Sequence, residues 1–298
     1  CLTPYLTGPP VPFRLVNLKV TTLMAWFPYS FGVDERGARL IWHFFRVLWR
    51  VFFHSKILLE LNDKACKVGM PRGVYSGYPK QDVFFKPDQK FHFDWKMTRP
   101  DAKKIIWAPH HSIINKGPLF ATFQWNYQFM YEFAKSHPEI SWIVKPHFAL
   151  RGKTVKSKLF SSLDVYDKYM QKWNDLPNAQ VYTGPYYQDV FATSDGMIQD
   201  SDSFVAEYQY VNKPMIFLTR ETQKFNELGE EILKASYTVY GKDLEGIAAM
   251  IQRVFIEGDD YKAAERKAVF DRYLNYPKDN GMLASEFIYK SISQDLKG

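Results

Sequence analysis

Residues 194–218 read SDGMIQDSDSFVAEYQYVNKPMIFL, and this stretch carries the strongest indication of the architecture. An apolar run at 196–199 ends in a polar turn, a helical pattern follows over 203–211, and a second apolar run occupies 214–218. Strand, helix and strand in such close succession predict two parallel strands, because the helix returns the chain to the edge where the first strand began.

The same alternation extends in both directions along the chain. Further strands are predicted at 105–108, 141–145, 179–183 and 237–240. Helices are predicted at 119–136, 156–173, 188–192, 226–235, 244–256, 261–274 and 282–296. Strands separated by helices indicate a parallel sheet covered on both faces, so the predicted fold class is α/β with a doubly wound, Rossmann-like C-terminal domain.

The N-terminal third is less regular. An apolar run at 18–27 predicts one buried strand, and another strand is expected at 73–76, before a turn at 77–80. Between them, residues 38–61 carry basic side chains at helical spacing, which predicts a helix with one basic stripe. Such a helix could lie on an anionic membrane surface, and the alternative is a core helix with one solvated stripe.

The composition narrows the class of protein. With 298 residues, 46% of them hydrophobic and 17% aromatic, the chain can bury a large core, which excludes disorder, a collagenous repeat and a disulfide miniprotein. Its two cysteines, Cys1 and Cys66, form no zinc-binding or disulfide pattern. A reducing compartment is therefore expected, and with it a cytoplasmic protein.

The charge balance points to an anionic partner. The formal net charge is +7, which suits nucleic acid, an anionic membrane or a phosphorylated small molecule. Nucleic acid is the least favoured, because the basic residues form no patch interleaved with exposed aromatics. No window of about 18 uncharged apolar residues occurs, so no spanning helix is expected.

Polar residues follow each predicted strand, where an open parallel sheet binds its ligands. His110 and His111 follow the first strand, Lys145 and His147 the second, and Asp200 the fourth. Lysine and histidine side by side suit a diphosphate or the charge that grows on a leaving phosphate. A metal site is not expected, because adjacent histidines should point apart.

The helix after Asp200 offers a second group of candidates. Ser201 and Ser203 lie where this helix begins, so their hydroxyls and the free N–H groups could bind phosphate, and capping of the helix is the alternative. Glu207 follows Ser203 by one turn on the same face. Its carboxylate could accept the hydroxyls of a ribose, and the alternative is a solvated glutamate.

These segments resemble a known family. Residues 194–218 are similar to the S-D-x-x-I-x-D-x-S-S…D/E…K-P-x-x-F segment of the CDP-glycerol glycerophosphotransferase family, which includes the teichoic acid and capsule polymerases. Residues 76–82 resemble its t-G-y-P-x-x-D turn, 106–109 its y-A-P strand end, and 143–147 its basic-x-His element. Together the resemblance spans about residues 20–245.

The resemblance implies a GT-B architecture of two Rossmann-like domains, with the donor nucleotide held mainly by the C-terminal one. It also implies no obligatory metal and no cofactor. By position, Asp200 and Ser203 match residues near the donor's phosphates, and His147 matches the histidine that faces the diphosphate. Glu207 occupies the acidic position of the following helical turn, while Lys145 and Ser201 complete the expected donor site.

The domain division follows from this resemblance and from a charged, proline-containing segment at 86–103. Residues 1–90 are expected to be the C-terminal part of an acceptor-side Rossmann-like domain, 91–275 the donor-binding domain, and 276–298 a C-terminal helix. Because about 90 residues are few for a Rossmann-like half and the chain starts at Cys1 without methionine, the first domain is expected to be incomplete.

The implied reaction is transfer of a glycerol-phosphate or related polyol- or sugar-phosphate unit from a CDP-activated donor to a polysaccharide or lipid-linked acceptor, with release of CMP. The expected site of action is cytoplasmic, or peripheral on the inner face of the cell membrane. The alternatives are a GT-B glycosyltransferase that transfers the sugar itself, or a non-catalytic membrane-docking domain.

Two departures from the family pattern leave details open. The family's Trp-His-Gly motif, whose histidine is the implied general base, is absent, because Trp42-His43 is followed by Phe44. Either this motif lies in sequence outside this chain, or another base is used, for which His110 or His111 is the candidate. Asp202 stands where many members have a serine, which leaves the identity of the donor open.

Overall fold

The structure is a computed structural model, and it describes residues 2–3, 23–28, 30–35, 48–65, 73–114 and 119–295. The chain divides into two compact units. The first unit comprises Cys1–Gln89, Phe225–Glu230 and Ala268–Gly298, and the second comprises Lys90–Lys224 and Glu231–Lys267. The linear division into 1–90, 91–275 and 276–298 stays a prediction about domains, and the units add that residues 225–230 and 268–298 pack with the N-terminal segment.

The regular elements within the described segments alternate as expected for an α/β protein. The strands are β1 (Leu2–Thr3), β2 (Ala25–Trp26), β3 (Arg50–Phe53), β4 (Gly73–Tyr75), β5 (Lys103–Ala108), β6 (Ile140–Val144), β7 (Ala179–Val181), β8 (Gly196–Gln199), β9 (Met215–Thr219) and β10 (Tyr237–Tyr240). The α-helices are α1 (Lys56–Ala65), α2 (Phe123–Ser136), α3 (Leu150–Lys156), α4 (Leu163–Asp175), α5 (Gln188–Thr193), α6 (Ser203–Glu207), α7 (Glu227–Lys234), α8 (Leu244–Ile251), α9 (Ala263–Tyr273), α10 (Tyr276–Asn280) and α11 (Ala284–Asp295). Short 3₁₀ turns occupy Pro79–Phe85 and Tyr208–Val211, and a π-turn follows α8 at Gln252–Ile256.

The second unit is built on a six-stranded sheet in the order β10-β9-β8-β5-β6-β7, with all pairs parallel. The chain adds strands to one side of β5 and then crosses to begin the other side with β8. β5 and β8 therefore flank a topological switch point, the place where open parallel sheets bind ligands. Every residue of β6 and of β8 is buried, as in a sheet that is covered on both faces.

Aromatic packing joins the helices of this unit to its sheet. Trp107 of β5 is fully buried, with its ring stacked at 5.7 Å on Phe123 of α2 and at 5.4 Å from Trp173 of α4. Burial of each such side chain contributes roughly 2–3 kcal/mol relative to exposure. This packing holds α2 and α4 against the sheet and fixes the loops that precede them.

The first unit contains a smaller parallel sheet in the order β1-β2-β3-β4. The turn after β4 needs Gly77, whose φ is +72°. Asp82 caps α11, because its two carboxylate oxygens accept the N–H groups of Ala284 at 3.0 Å and Ser285 at 2.7 Å. These contacts explain why the C-terminal helix belongs to this unit.

The structure contradicts the predicted helix at 38–61. Residues 50–53 form strand β3 and a helix begins only at Lys56, while 36–47 lie outside the described residues. Val51 and Phe52 are buried between β2 and β4, and Arg50 pairs with Asp295 at 2.6 Å. Residues 50–53 are therefore part of a strand and cannot belong to a basic helical stripe. They give no support for membrane binding through a helix at 38–61.

The remaining differences concern boundaries. The predicted helix at 156–173 is two helices, α3 and α4, and the one at 203–211 becomes a 3₁₀ turn after Glu207. Of the predicted strand at 18–27, residues 25–26 form β2 and 18–22 lie outside the described residues. The predicted α/β class with a doubly wound parallel sheet is confirmed. None of the helices in the described segments combines the length and apolar character that crossing a bilayer requires.

Candidate functional site

The loops after β5 and β6 run side by side beyond the sheet. The N–H of Lys145 donates to the carbonyl of Trp107 at 2.8 Å, and the N–H of His147 donates to that of Pro109 at 3.1 Å. The pairing of the two strands therefore continues into their loops. It places His147 next to His110 and His111, which follow Pro109 directly.

These three histidines form a cluster at the carboxyl edge of the sheet, called here the histidine cluster. The rings of His111 and His147 stack at 4.0 Å, and the ring of His110 lies 4.2 Å from that of His111. The structure thus brings together all three predicted histidines. It also shows that the adjacent His110 and His111 do not point apart, which corrects the reasoning used against a metal site.

The histidine cluster is held in the uncharged state. Burial lowers the pKa of His147 to about 3, with the nearby His111 and Lys145 adding to the effect. Burial also lowers the pKa of His110 well below its usual value, and that of His111, where the charge of Lys153 contributes. Neutral imidazoles donate or accept single hydrogen bonds, so the position of each proton decides their chemistry.

Hydrogen bonds fix the tautomer of two of the three rings. Nδ1 of His147 accepts the N–H of Ala149 at 3.1 Å, so its proton lies on Nε2. Nδ1 of His110 lies 2.8 Å from the hydroxyl of Ser112, whose oxygen already accepts the N–H groups of Phe120 and Ala121. The hydroxyl proton then points to His110, which also carries its proton on Nε2.

His111 differs from its two neighbours. Its Nδ1 is buried and has no hydrogen-bond partner. Within the described part of the chain, it is therefore the cluster member whose ring nitrogens are not assigned by the protein itself. Because Nδ1 is buried, this ring could accept a proton from a substrate only at Nε2, whereas His110 and His147 present N–H donors there.

Coordination of a metal by the cluster would require rearrangement. The ligand atoms of the three histidines lie within 4.8 Å of one another, which makes them candidates for a cation. However, a metal lies in the plane of each ligating ring, and the rings of His111 and His147 are stacked at 26°. In addition, neutral His110 and His147 carry protons on Nε2 when their Nδ1 atoms accept hydrogen bonds. The described arrangement suits hydrogen bonding to an anion better than coordination.

Asp200 links the two sides of the switch point. One carboxylate oxygen accepts the N–H of His110 at 2.6 Å, and the other accepts both the N–H of Thr122 at 2.5 Å and its hydroxyl at 2.8 Å. Burial raises the pKa of Asp200 to about 6, although these hydrogen bonds and Arg220 oppose the shift. The carboxylate thereby ties the histidine loop to the start of α2.

The three residues before α2 are hydrogen-bonded to side chains of the protein. Ser112 receives the N–H groups of Phe120 and Ala121, and Asp200 receives the next one, from Thr122. The N-terminus of the helix after the first strand is the usual phosphate position of a Rossmann-like domain. Here the buried carboxylate of Asp200 lies beside that position, because it accepts the N–H and the hydroxyl of Thr122, the residue before α2.

The start of α6 shows capping together with open positions. The hydroxyl of Ser201 accepts the N–H of Phe204 at 3.3 Å and donates to the side chain of Gln199 at 2.8 Å. The capping alternative therefore holds for Ser201. Ser203 is partly exposed at the first position of α6, and Glu207 is 1% exposed at its end. Their proposed contacts with a donor stay predictions.

The side chain of Lys145, which directly follows β6, is bound by the neighbouring loop. Its ammonium donates to the carbonyl of Gly184 at 2.9 Å and lies 4.9 Å from the centre of the Tyr182 ring. This position is at the loop after β7. From there Lys145 acts on the cluster by its charge, because it helps to lower the pKa of His147.

The structure adds Arg220, which directly follows β9. Its guanidinium donates to the carbonyl of Ala121 at 2.5 Å and packs 4.7 Å from the ring of Trp125. Its charge also lowers the pKa of Asp200. The position of this cation directly after a buried strand could have indicated a site residue. Its partners could not be predicted from the sequence, because they lie about 100 residues away in the chain.

Comparison with known proteins places the chain in context. A family model described as CDP-glycerol:poly(glycerophosphate) glycerophosphotransferase matches residues 56–294. A search of curated proteins finds no match.

Similar solved structures include a wall teichoic acid polymerase, TagF, with 16% identity, 94% of this chain and 70% of that chain covered, and a TM-score of 0.62. A TagF variant soaked with CDPG gives 14% identity, coverage of 94% and 70%, and a TM-score of 0.60. The UDP co-structure of S. aureus MnaA gives 14% identity, coverage of 93% and 70%, and a TM-score of 0.57. At these identities the likeness concerns the fold, and it confirms the predicted GT-B-like class.

Proposed function

Since the chain belongs to the CDP-glycerol:poly(glycerophosphate) glycerophosphotransferase family, we propose that it moves a glycerol-phosphate or related polyol- or sugar-phosphate unit from a CDP-activated donor to a cell-surface polysaccharide. CMP is the second product. The acceptor is a polysaccharide or lipid-linked chain of the teichoic acid or capsule type. A TagF variant soaked with CDPG shares the fold, which supports CDP-glycerol as the first donor to test.

The observation that carries this proposal is the histidine cluster in the loops after β5 and β6, beside the switch point between β5 and β8. Its neutral rings offer N–H donors from His110 and His147 in a partly buried setting. Such donors stabilise the charge that develops on phosphate oxygens without the cost of a second buried cation. They also lie at the sheet edge where the fold class binds its ligands.

The reaction is a displacement at phosphorus. An acceptor hydroxyl oxygen forms a bond to the β-phosphorus of the donor, and the bond from that phosphorus to the oxygen bridging to the α-phosphate breaks. The bridging oxygen leaves with CMP and takes the electron pair. The acceptor's proton passes to a base, and positioned donors stabilise the charge on the transferred group.

His111 is the best candidate for that base among the three histidines. His110 and His147 have their only unprotonated nitrogen engaged with Ser112 and with the N–H of Ala149. The Nδ1 of His111 is buried without a partner, so Nε2 is the ring nitrogen that would take the acceptor's proton. Its lowered pKa leaves it unprotonated at neutral pH, which is the state in which a base acts.

The other predicted donor residues receive different tasks. Asp200, which is buried and carries three hydrogen bonds, positions the histidine loop rather than meeting phosphate directly. Ser203, at the start of α6, takes the phosphate role, and Lys145 supplies charge from the loop after β7. Glu207 is assigned to the ribose of the donor, by position in the family pattern.

Isothermal titration and product analysis test the reaction class. We expect binding of CDP-glycerol and of CMP, and we expect CMP as the nucleotide product when acceptor is present. Release of CDP or UDP would instead indicate a glycosyltransferase. Binding of UDP-sugars alone would overturn the donor assignment.

Paired variants of His147 test its role as a donor. In His147→Gln the side-chain amide reaches about as far as Nε2, so most of the turnover is expected to remain, whereas His147→Asn should lower the turnover by about 100-fold. His111→Gln should lower kcat by about 100-fold or more with little change in the KM for the donor.

His92→Gln serves as the control, because His92 is exposed and hydrogen-bonded to Asp94. Equal effects of His147→Gln and His147→Asn would contradict the role of the Nε2 proton.

The expected localisation, cytoplasmic or peripheral at the membrane, is tested separately by fractionation of cells.

A further inference from the structure

The segment after His147 is rich in cations. Residues 140–163 contain no aspartate or glutamate, and within them five cations occur between 145 and 158. The segment comprises the end of the loop after β6, helix α3 and the turn that follows. It is called here the basic segment, residues 148–158.

Four of the five cations of this region fall into two groups. Lys145 is engaged with Gly184, and Arg151 forms a two-pronged ion pair with Asp167 at 2.7 and 2.6 Å. Lys156 and Lys158 are exposed, and no carboxylate or other partner is found for them among the described residues. Two cations are therefore available to an outside ligand.

The conformation of Lys158 adds to this contrast. Its φ is +63°, in the left-handed region where a lysine costs about 1 kcal/mol more than glycine. Its N–H caps the end of α3 by donating to the carbonyl of Val155 at 3.0 Å. Glycine or asparagine would make this turn more easily, so the turn itself does not explain the lysine.

The basic segment is close to the histidine cluster. α3 begins three residues after His147, and the charge of Lys153 lowers the pKa of His111. A helix of seven residues is about 10 Å long, so Lys156 lies about that distance from the loop that carries His147. The next helix, α4, returns along the sheet and carries Lys168 and Lys172 towards its opposite edge.

We infer that Lys156 and Lys158 bind the phosphodiester groups of a polyanionic acceptor, the growing poly(glycerophosphate) chain or a related polymer, and lead its end to the histidine cluster. This inference rests on the proposed function and adds where the acceptor lies. A polymer with a charge on every unit matches a row of cations that ends at the reacting centre. Such contacts are electrostatic and partly exposed, so salt should weaken them.

The test compares two double variants of the full chain. Lys156→Gln with Lys158→Asn removes the two cations, with asparagine chosen because it tolerates a positive φ. Lys168→Gln with Lys172→Gln removes the same charge from exposed positions on α4. The first readout is the affinity for a labelled poly(glycerophosphate) oligomer, measured by fluorescence anisotropy at low and high salt.

We expect the first variant to bind the oligomer about three- to tenfold more weakly than the second at low salt, and the difference to disappear near 1 M salt. In turnover, the KM for the polymer should rise by a similar factor, while kcat and the KM for CDP-glycerol stay unchanged. Equal affinities of the two variants, or a rise in the KM for the donor, would overturn the inference.

A bilayer is the competing occupant, and the exposed Phe148 is the feature that would favour it. Sedimentation with phosphatidylglycerol vesicles distinguishes the two. If the first variant loses vesicle binding but keeps its affinity for the oligomer, the segment is a membrane contact and the inference is wrong. Binding of the oligomer is measured without turnover, so an inactive wild-type protein would count against the proposed function and leave this measurement valid.

Discussion

Replacement of Asp200 by asparagine should reveal the energetic cost of the charge at the switch point. The carboxylate is 1% exposed, and burial raises its pKa from 3.8 to about 6. Because this pKa is higher in the folded than in the unfolded protein, its contribution to stability is complete below about pH 3.8 and is lost as the pH rises through about 6. At neutral pH, ionisation of Asp200 therefore opposes folding.

The magnitude follows from the size of the shift. A difference of about two pKa units corresponds to about 3 kcal/mol at neutral pH, of which about 2 kcal/mol develops between about pH 4.5 and about pH 7.5. Asparagine cannot ionise, so it removes this pH-dependent part. It also places an N–H₂ group against one of the donors from His110 or Thr122, which costs about 1–3 kcal/mol at every pH.

The assay is urea unfolding of the wild type and Asp200→Asn at both pH values. The effect of the substitution on the free energy of unfolding should become more favourable by about 2 kcal/mol between about pH 4.5 and about pH 7.5, because the pH-independent loss cancels in this difference. Asp175→Asn, at an exposed aspartate that ends α4, is the matched control. A substitution effect that is the same at both pH values would refute the reasoning.

The same variant should lose activity. Asparagine keeps only one of the two side-chain oxygens, so the N–H groups of His110 and Thr122 are no longer both accepted by residue 200. The histidine loop can then shift, and a displacement of about 1 Å can lower kcat by about 100-fold. If the substitution is more favourable for stability at neutral pH than at acid pH and also lowers the turnover, the buried carboxylate is retained because it positions the histidine loop. Full activity in Asp200→Asn would remove the positioning role.

Two further predictions concern the first unit. Gly77→Ala should lower the free energy of unfolding by about 2–4 kcal/mol, because the residue has a positive φ and its new Cβ would lie 2.5 Å from the ring of Tyr276. Gly152→Ala is the control, because this glycine has open space in α3 and its replacement should be neutral or stabilising by about 0.5–1 kcal/mol. Equal effects of the two substitutions in thermal unfolding would contradict this reasoning. Burial lowers the pKa of His54 to about 3, so the contribution of this residue to stability is complete above about pH 6.5 and is lost as the pH falls towards 3. This loss of stability at low pH should be smaller in His54→Phe. If urea unfolding of the variant shows the same pH dependence as the wild type, His54 is not the source of the loss.

The C-terminal sheet could be predicted from the sequence because its strands are buried on both faces. A strand of this kind is a short continuous apolar run between turn residues, and β8 and β10 have the predicted bounds, 196–199 and 237–240. The helices were less well bounded, since their ends depend on caps. In α4, the hydroxyl of Ser162 accepts the N–H of Val165 and starts a new helix inside the predicted one.

The helix predicted at 38–61 fails at β3 for a physical reason. Residues 47–53 are mostly apolar, and a continuous apolar run fits a buried strand as well as a buried helix. The spacing of Arg50 and His54 then suggested a solvated stripe. In the structure, His54 is buried with its Nε2 3.0 Å from the carbonyl of Pro28, and Arg50 pairs with Asp295, a partner 245 residues away.

The location of the site at the edge of the sheet could be predicted from the sequence, but its hydrogen bonds could not. Polar residues after successive strands indicated where ligands bind, and His110, His111 and His147 do come together there. The protons of these rings depend on Ser112 and on a backbone N–H. Such contacts follow from loop geometry, which composition and spacing do not determine.

Asp200 limits the places that a diphosphate can take at this edge of the sheet. Its buried carboxylate accepts the N–H groups of His110 and Thr122, and Thr122 is the residue that precedes α2. A phosphate placed against the same N–H groups would meet this carboxylate, which becomes negatively charged as the pH rises through about 6. We therefore expect the donor's diphosphate to lie nearer to Ser203, which is partly exposed at the start of α6.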